Sequence, residues 1–433
     1  MNTISIIYNL IILPFLSFLF PIIKLLNKKF KEREGCWEEL LENFNFPKTN
    51  KRIWFHAASM GEFEQAKPII EFIKKHDYGN EIIVTFFSPS GLNNQKNYEF
   101  ADYILYLPFD FKSNVKYFIN KIQPDIAIFV RYEIWRNYLE ILNKNKIPIY
   151  LICATKPNSK ILYHNTFLKK FTISNYNYFT RIYTISKEYS DFFEKLGVKT
   201  QIVTSSDTRY DRIYEKVLYY KEHPILPKKF FQNHFVLIGG STWEQDEEIL
   251  IETIIRLQKN ENINIKLVLV PHEPIDSHIN TLKRLLPHSF LLSEITNQLF
   301  NIDDENIIIN YLGNNHIIVD SIGKLLGLYS LADLAFIGGG FGAGIHSVTE
   351  AAGYGIPIAC GPKYKNSFDA EQLRISGSLE IIKNTVDLYN WVKDLYYNKE
   401  NYKRISKINE NYILDKLGES QKIAEDIIKI INL

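Results

Sequence analysis

Cysteine is scarce in this chain of 433 residues, and the scarcity excludes whole classes of protein. Cys36, Cys153 and Cys360 stand far apart and follow no metal-binding spacing, so neither a disulfide scaffold nor a cysteine-built metal centre is expected. An excess of one charge is missing too. The 51 Lys and Arg against 49 Asp and Glu leave a formal net charge of +2. With no groove of interleaved basic and aromatic residues, nucleic acid drops out as a partner. No G-x-G-x-x-G follows the first strand-like run and no G-x-x-x-x-G-K-[ST] occurs, which leaves dinucleotide oxidoreductases and P-loop nucleotidases without support. Extended disorder is excluded by 46% apolar and 23% charged residues.

One long run is present instead. Ile4 to Ile23 carries no charge over 20 residues, and Lys24, Lys28, Lys29, Lys31 and Arg33 come directly after it. Such a run is long enough for a hydrocarbon core, and its flanking charge places the rest of the chain on the cytoplasmic side. A cleaved signal peptide would carry its charge in front and a small-residue cleavage site behind. The expectation is a membrane anchor over residues 1–30, kinked or half-inserted at Pro14 and Pro21. Cys36, Trp37, Leu40, Leu41 and Phe44 then form a helical stripe, suited to a core or to a bilayer surface.

From Lys51 onward, short β-branched runs alternate with helical patterns. RIWFHA, EIIVTF, YILYLP, DIAIFV, PIYLIC and RIYTIS form a first series. FVLIGG, KLVLV, HIIVD, DLAFIGG and PIAC form a second. Near-continuous apolar strands between helices predict parallel sheets covered on both faces. The stretch from Lys216 to Lys229 reads as a linker, which divides the chain into a Rossmann-like domain over residues 31–215 and another over residues 216–433. Ligands in such folds sit beyond the carboxyl ends of the strands, so those ends carry the candidate site.

RIWFHA leads into ASMGEFEQA, where Gly61 permits a turn and Glu62 opens a helix. Glu62 is either a helix cap or a general base. Arg131, Glu133 and Arg136 follow the DIAIFV run as an ion network or as part of a site. Ser241 and Thr242 in FVLIGGSTWEQDEE suit a phosphate but also suit a helix cap. His272 follows the next strand, lining the site or making a turn. The segment IGGGFGAGIHSVTEAAGYGIPIACGPKYKNSFDA is the richest. Its glycines, Gly340 and Gly342 among them, bring backbone close to a ligand and open a helix whose dipole favours an anion. Glu350 lies one helical turn beyond His346 and can accept ribose hydroxyls. The two could also ligate a metal, but no third ligand stands at a suitable spacing.

In this order, HAASMGE, YEIW, GGST and HSVTEAAGYGIPIACGP resemble the motifs of the 3-deoxy-D-manno-octulosonic acid (Kdo) transferases, over nearly the whole chain. The resemblance implies an α/β GT-B fold, two Rossmann-like domains facing a cleft behind an N-terminal membrane-anchor helix. It also implies inverting transfer of Kdo from CMP-Kdo to a lipid A precursor at the inner membrane, on its cytoplasmic face, with membrane lipid as a further partner. CMP-Kdo is then a co-substrate and no cofactor is needed. Glu62 is implied as the base, with Gly61, Arg131 and Glu133 on the acceptor side. Ser241, Thr242, His272, Gly340, Gly342, His346, Glu350, Lys363 and Asn366 are implied on the donor side. His272 stands where the family pattern places an arginine or histidine, Ser347 replaces its asparagine and Lys363 its histidine. A glycosyltransferase using a nucleoside-diphosphate sugar, a sugar-nucleotide epimerase of the same fold and a non-catalytic membrane-tethered scaffold are the competing readings.

Overall fold

The computed structural model describes residues 3–15, 18, 41–42, 48–76, 79–157, 165–299, 313 and 315–432. The chain divides into two compact units, Met1–Asp211 with Leu417–Leu433, and Arg212–Lys416.

The first unit holds seven parallel strands: β1 (Arg52–Ala57), β2 (Glu81–Phe86), β3 (Tyr103–Tyr106), β4 (Ile126–Val130), β5 (Ile149–Ala154), β6 (Arg181–Thr184) and β7 (Gln201–Thr204), in the order β3-β2-β1-β4-β5-β6-β7. Strands β1, β4 and β5 are buried at every position, as expected when helices cover both faces. Trp54, Phe129 and Leu151 face one core layer, and Phe55, Ile128 and Ile152 the other. This alternation along each strand is the two-residue period of the pleat.

The second unit repeats the plan with β8 (Phe235–Thr242), β9 (Ile265–Pro271), β10 (Ser289–Leu291), β11 (His316–Ile318), β12 (Leu334–Ile337), β13 (Ile358–Cys360) and β14 (Leu379–Ile381). Their order is β10-β11-β9-β8-β12-β13-β14. In each sheet the direction of winding reverses beside the first strand, between β1 and β4 and again between β8 and β12. Such a reversal splays the loops apart and opens a crevice at the carboxyl edge.

Three features differ from the sequence-based expectation. The stretch read as a linker begins inside a helix, Arg209–Glu222, and ends in a 3-10 turn, Lys228–Phe231. Its helix has an apolar side, from which Val217 is fully buried. The unit boundary falls at Asp211 and Arg212, ahead of position 216. The C-terminal helix Glu419–Ile431 belongs to the first unit, where Ile423, Ala424, Ile427, Ile428 and Ile431 complete a core layer with β1 and β4. Burying these side chains contributes on the order of 10 kcal/mol before ordering entropy is subtracted.

Among the described residues no helix is long and apolar enough to cross a membrane. The described part of the expected anchor is an α-helix, Thr3–Ile7, continuing as a π-helix, Tyr8–Ile12. Its polar side is fixed to the first unit. The Tyr8 hydroxyl donates to Asp110 Oδ2 at 2.7 Å, and Asn9 exchanges side-chain hydrogen bonds with Asn137 at 3.0 and 2.9 Å. Arg136 Nε and Nη2 both donate to Ser5 Oγ. Burial pushes the Asp110 carboxyl up to about 7. The basic run Lys24–Arg33 and all of the Cys36–Phe44 stripe except Leu41 lie outside the described residues; Leu41 is buried in the core.

Candidate active site at the carboxyl ends of the strands

In the first unit, β1 ends at Ala57 and the helix Met60–Lys75 starts three residues later. Glu62 sits in the first turn of that helix and is 4% exposed. Its Oε2 accepts the backbone N–H groups of Ala58 at 2.6 Å and Ser59 at 3.1 Å, satisfying donors that a helix start leaves unpaired. The two readings of Glu62 are therefore compatible: one oxygen caps the helix, while no hydrogen bond holds Oε1 among the described residues. Gly61 does not make the expected turn. It lies inside the helix without a positive φ, and an added Cβ would meet nothing within 4 Å. What the glycine leaves is open space at the helix start.

Electrostatics favour a base. Burial, then the negative charge of Glu133, pushes the Glu62 carboxyl from 4.5 up to about 7, against the N–H bonds and the Arg131 guanidinium. A base poised near neutral pH matches proton removal from a hydroxyl. The rate is expected to rise about tenfold per pH unit up to about 7 and to level off above, in a kcat/KM profile from pH ~5 to ~9. Glu133→Gln removes the repelling charge and moves the acidic limb to lower pH. The fold itself prefers neutral Glu62: that contribution to stability is complete below about 4.5 and disappears as pH rises through about 7.

Arg131 and Glu133 follow β4. Arg131 holds φ at +63°, rare for a residue with a side chain, and its buried Nε has no hydrogen-bond partner among the described residues. Glu133 Oε2 accepts Trp135 Nε1 at 2.8 Å and lies 3.6 Å from Nε2 of fully buried His56. Arg136 takes a different role from its neighbours. It is 1% exposed and bound to Ser5, Ser174 and Asn175, so it braces the N-terminal helix.

In the second unit, β8 runs through Ser241 and Thr242, and the helix Glu244–Glu261 has Trp243 as its N-cap. Neither hydroxyl residue is therefore the cap. Ser241 holds φ at +53° and lines a cavity of about 400 Å³ with Lys216, Gly240, Tyr329, His346 and Glu350. The Thr242 side chain is not available there: its hydroxyl donates to Glu247 Oε1 at 2.9 Å in the interior. A second cavity, beyond Thr242, is bordered by the acids Glu244, Asp246 and Glu273 and by His278. The cavity that contains Lys216 has that one cation and one carboxylate, Glu350, in its lining.

His346 and Glu350 share that cavity, though not as one face of a helix. The helix covers only Thr349–Gly353, so the loop from Gly338 to Val348 does not lead directly into a strong dipole. Its ring stack orders the site instead: His272 lies 4.4 Å from His346 and 4.9 Å from Trp243, centroid to centroid. Burial, then His272, lowers the affinity of His346 for a proton. Burial raises the Glu350 pKa, with Lys216 opposing.

The remaining donor-side candidates shape the loop. An added Cβ on Gly340 would stand 2.6 Å from Gly361 Cα, whereas on Gly342 the nearest atom is 3.8 Å away. Lys363 Nζ donates to the Gly342 carbonyl at 2.8 Å and Asn366 Nδ2 to that of Ile345 at 3.0 Å. Asp246 joins them: its Oδ2 accepts Gly339 N–H at 2.8 Å and Trp243 N–H at 3.0 Å. Lys216, Tyr329 and Asp246 were missed in the sequence. Only Asp246 had a local signal, an acid at the third position of a helix. Among the described residues no group of three or more His, Cys, Asp or Glu is placed to hold a metal ion.

A family model described as 3-deoxy-D-manno-octulosonic-acid transferase matches residues 28–212. A 3-deoxy-D-manno-octulosonic acid transferase of Rickettsia prowazekii is 27% identical over 88% of this chain and 79% of its own length. That of Haemophilus influenzae is 25% identical over 87% and 86%. Among solved structures, a UDP-GlcNAc 2-epimerase from Neisseria meningitidis superimposes with a TM-score of 0.60 at 14% identity, covering 87% of this chain and all of that one. A glycosyltransferase from Rickettsia africae gives 0.52 at 12% identity, covering 88% and 99%. At such identities the structures establish a GT-B-like fold, and the sequence relatives add the rest: over most of its length the chain is similar to 3-deoxy-D-manno-octulosonic acid transferases.

Proposed function

We propose that this enzyme transfers Kdo from CMP-Kdo to the primary hydroxyl of a lipid A precursor, with inversion at the anomeric carbon. The observation that carries the reading is Glu62, a buried carboxylate at the end of β1 with one oxygen fixed and a pKa raised to about 7. Its Oε1 takes the hydroxyl proton as the acceptor oxygen bonds to the anomeric carbon. The bond from that carbon to the phosphate oxygen breaks, and its electron pair leaves with CMP. Lys216 and the loop from Gly338 stabilise the departing phosphate, and no metal is required. Arg131 attracts an anionic group of the acceptor or the donor sugar. Offered CMP-Kdo and UDP-N-acetylglucosamine with a lipid A precursor, the enzyme is expected to release CMP only. Release of UDP without CMP, or epimerised sugar nucleotide without acceptor, overturns the reading.

The N-terminal helix supports a place at the cytoplasmic face of the inner membrane. With Ser5, Tyr8 and Asn9 held by the protein, Leu10, Ile11, Phe15 and Phe18 are 70, 63, 62 and 77% exposed. An apolar stripe bound on its polar side is suited to lie in the interface and need not span it. Replacing Leu10, Ile11 and Phe15 by Ser is expected to weaken binding to anionic vesicles more than about a hundredfold, since each large apolar side chain contributes up to ~1.5–3 kcal/mol. Unchanged co-sedimentation would contradict this placement.

A further inference from the structure

Tyr329 begins a short 3-10 turn, Tyr329–Leu331, and is 1% exposed. Its hydroxyl is buried and has no hydrogen-bond partner among the described residues. Buried hydroxyls in folded proteins are nearly always partnered, so an orphan calls for an explanation. Its position supplies one. Tyr329, Gly240 and Glu350 line the same cavity, and a Cβ on Gly240 would stand 2.3 Å from the Tyr329 oxygen. The glycine thus leaves room for this hydroxyl at the cavity wall. The charge of Glu350 acts on the phenol and adds to the burial that opposes its ionisation, so the group stays a neutral donor and acceptor.

We infer that the Tyr329 hydroxyl, with the Glu350 carboxylate, binds the ribose hydroxyls of the nucleotide and makes the cavity select ribonucleotides over deoxyribonucleotides. The inference rests on the nucleotide-binding reading of this cavity. A rigid buried hydroxyl suits the task. An analogue that lacks its partner leaves it unpaired inside the protein, and such losses discriminate better than missing apolar contacts do. The carboxylate accepts from the sugar, while the phenol can donate or accept as the second hydroxyl requires.

The test is calorimetric titration of the full-length wild type and Tyr329→Phe with CMP, 2′-deoxy-CMP and 3′-deoxy-CMP, alongside thermal melting of both proteins. Wild type is expected to bind CMP more tightly than both analogues. Tyr329→Phe should weaken CMP about three- to tenfold, leave at least one analogue unchanged and so bring that selectivity ratio close to one. Its melting temperature should equal or exceed that of wild type, because the hydroxyl removed has no partner among the described residues. Equal weakening of all three ligands, unaltered selectivity or a lowered melting temperature would overturn the inference. A wild type that binds UMP in preference to CMP contradicts the donor reading alone, and the same comparison in the uridine series still decides the role of Tyr329. Binding of neither nucleotide overturns both.

Discussion

Glu62→Gln is expected to lower transfer about 10²- to 10⁴-fold while leaving the protein folded, because it removes the proposed base and keeps the cap. The amide oxygen of glutamine can still accept the N–H groups of Ala58 and Ser59, which Glu62 Oε2 accepts now. Glu62→Ala removes both functions and is expected to add a stability loss of about 1 kcal/mol, the usual effect of a lost cap. Comparing the two variants separates chemistry from folding: their activities should be similarly low, and their melting temperatures should differ. If Glu62→Gln retained activity and only Glu62→Ala lost it, the carboxylate would be a cap and nothing more.

Gly340→Ala is the second change with a large expected effect, and it acts on the fold of the donor side. The Cβ would lie 2.6 Å from both N and Cα of Gly361, and neither strand end can swing aside as a side chain could. Backbone meets backbone there, because β12 and β13 are neighbours in the sheet. The expected loss is about 3 kcal/mol of stability in the second unit, read by denaturant unfolding, together with loss of nucleotide binding. Gly342→Ala is the control in the same loop. With its nearest contact at 3.8 Å it should stay within about 0.5 kcal/mol of wild type. Equal effects of the two substitutions would show that the loop is not held by the Gly340–Gly361 approach.

Much of this arrangement could be read from the residues, and the reasons are physical. RIWFHA and EIIVTF match β1 and β2 residue for residue, since strands buried on both faces are apolar at most positions. The same logic fails at the edges. QIVT, SFL and LEI form β7, β10 and β14 but are short and incompletely buried, so their sequences carry no continuous apolar run. Residues at the ends of strands declared themselves because a charge or glycine breaks an apolar run there. Tyr329 and Lys216 did not, since each reaches the cavity from an element whose pattern is that of an ordinary turn or helix. The C-terminal helix was assigned to the wrong unit for a related reason: an apolar stripe shows that a helix packs but not against which sheet.

Gly61 and Thr242 teach a different lesson. Their motif positions suggested a turn and a phosphate contact, yet one sits unstrained in a helix and the other bonds Glu247 in the interior. A motif fixes the residue type at a position. Whether the group faces the ligand or holds a neighbour is decided by packing, which only the fold reveals.

The role of Glu62 in Kdo transfer is tested most directly by mass spectrometry of the lipid product. CMP-Kdo generated in situ and a tetra-acylated lipid A precursor are incubated with wild type and with Glu62→Gln, after both proteins are shown to bind CMP. Kdo added by wild type, with its number read from the mass, and almost none added by the variant is the predicted result. Product from the variant at the wild-type rate, or no Kdo transfer by a folded, CMP-binding wild type, would contradict it.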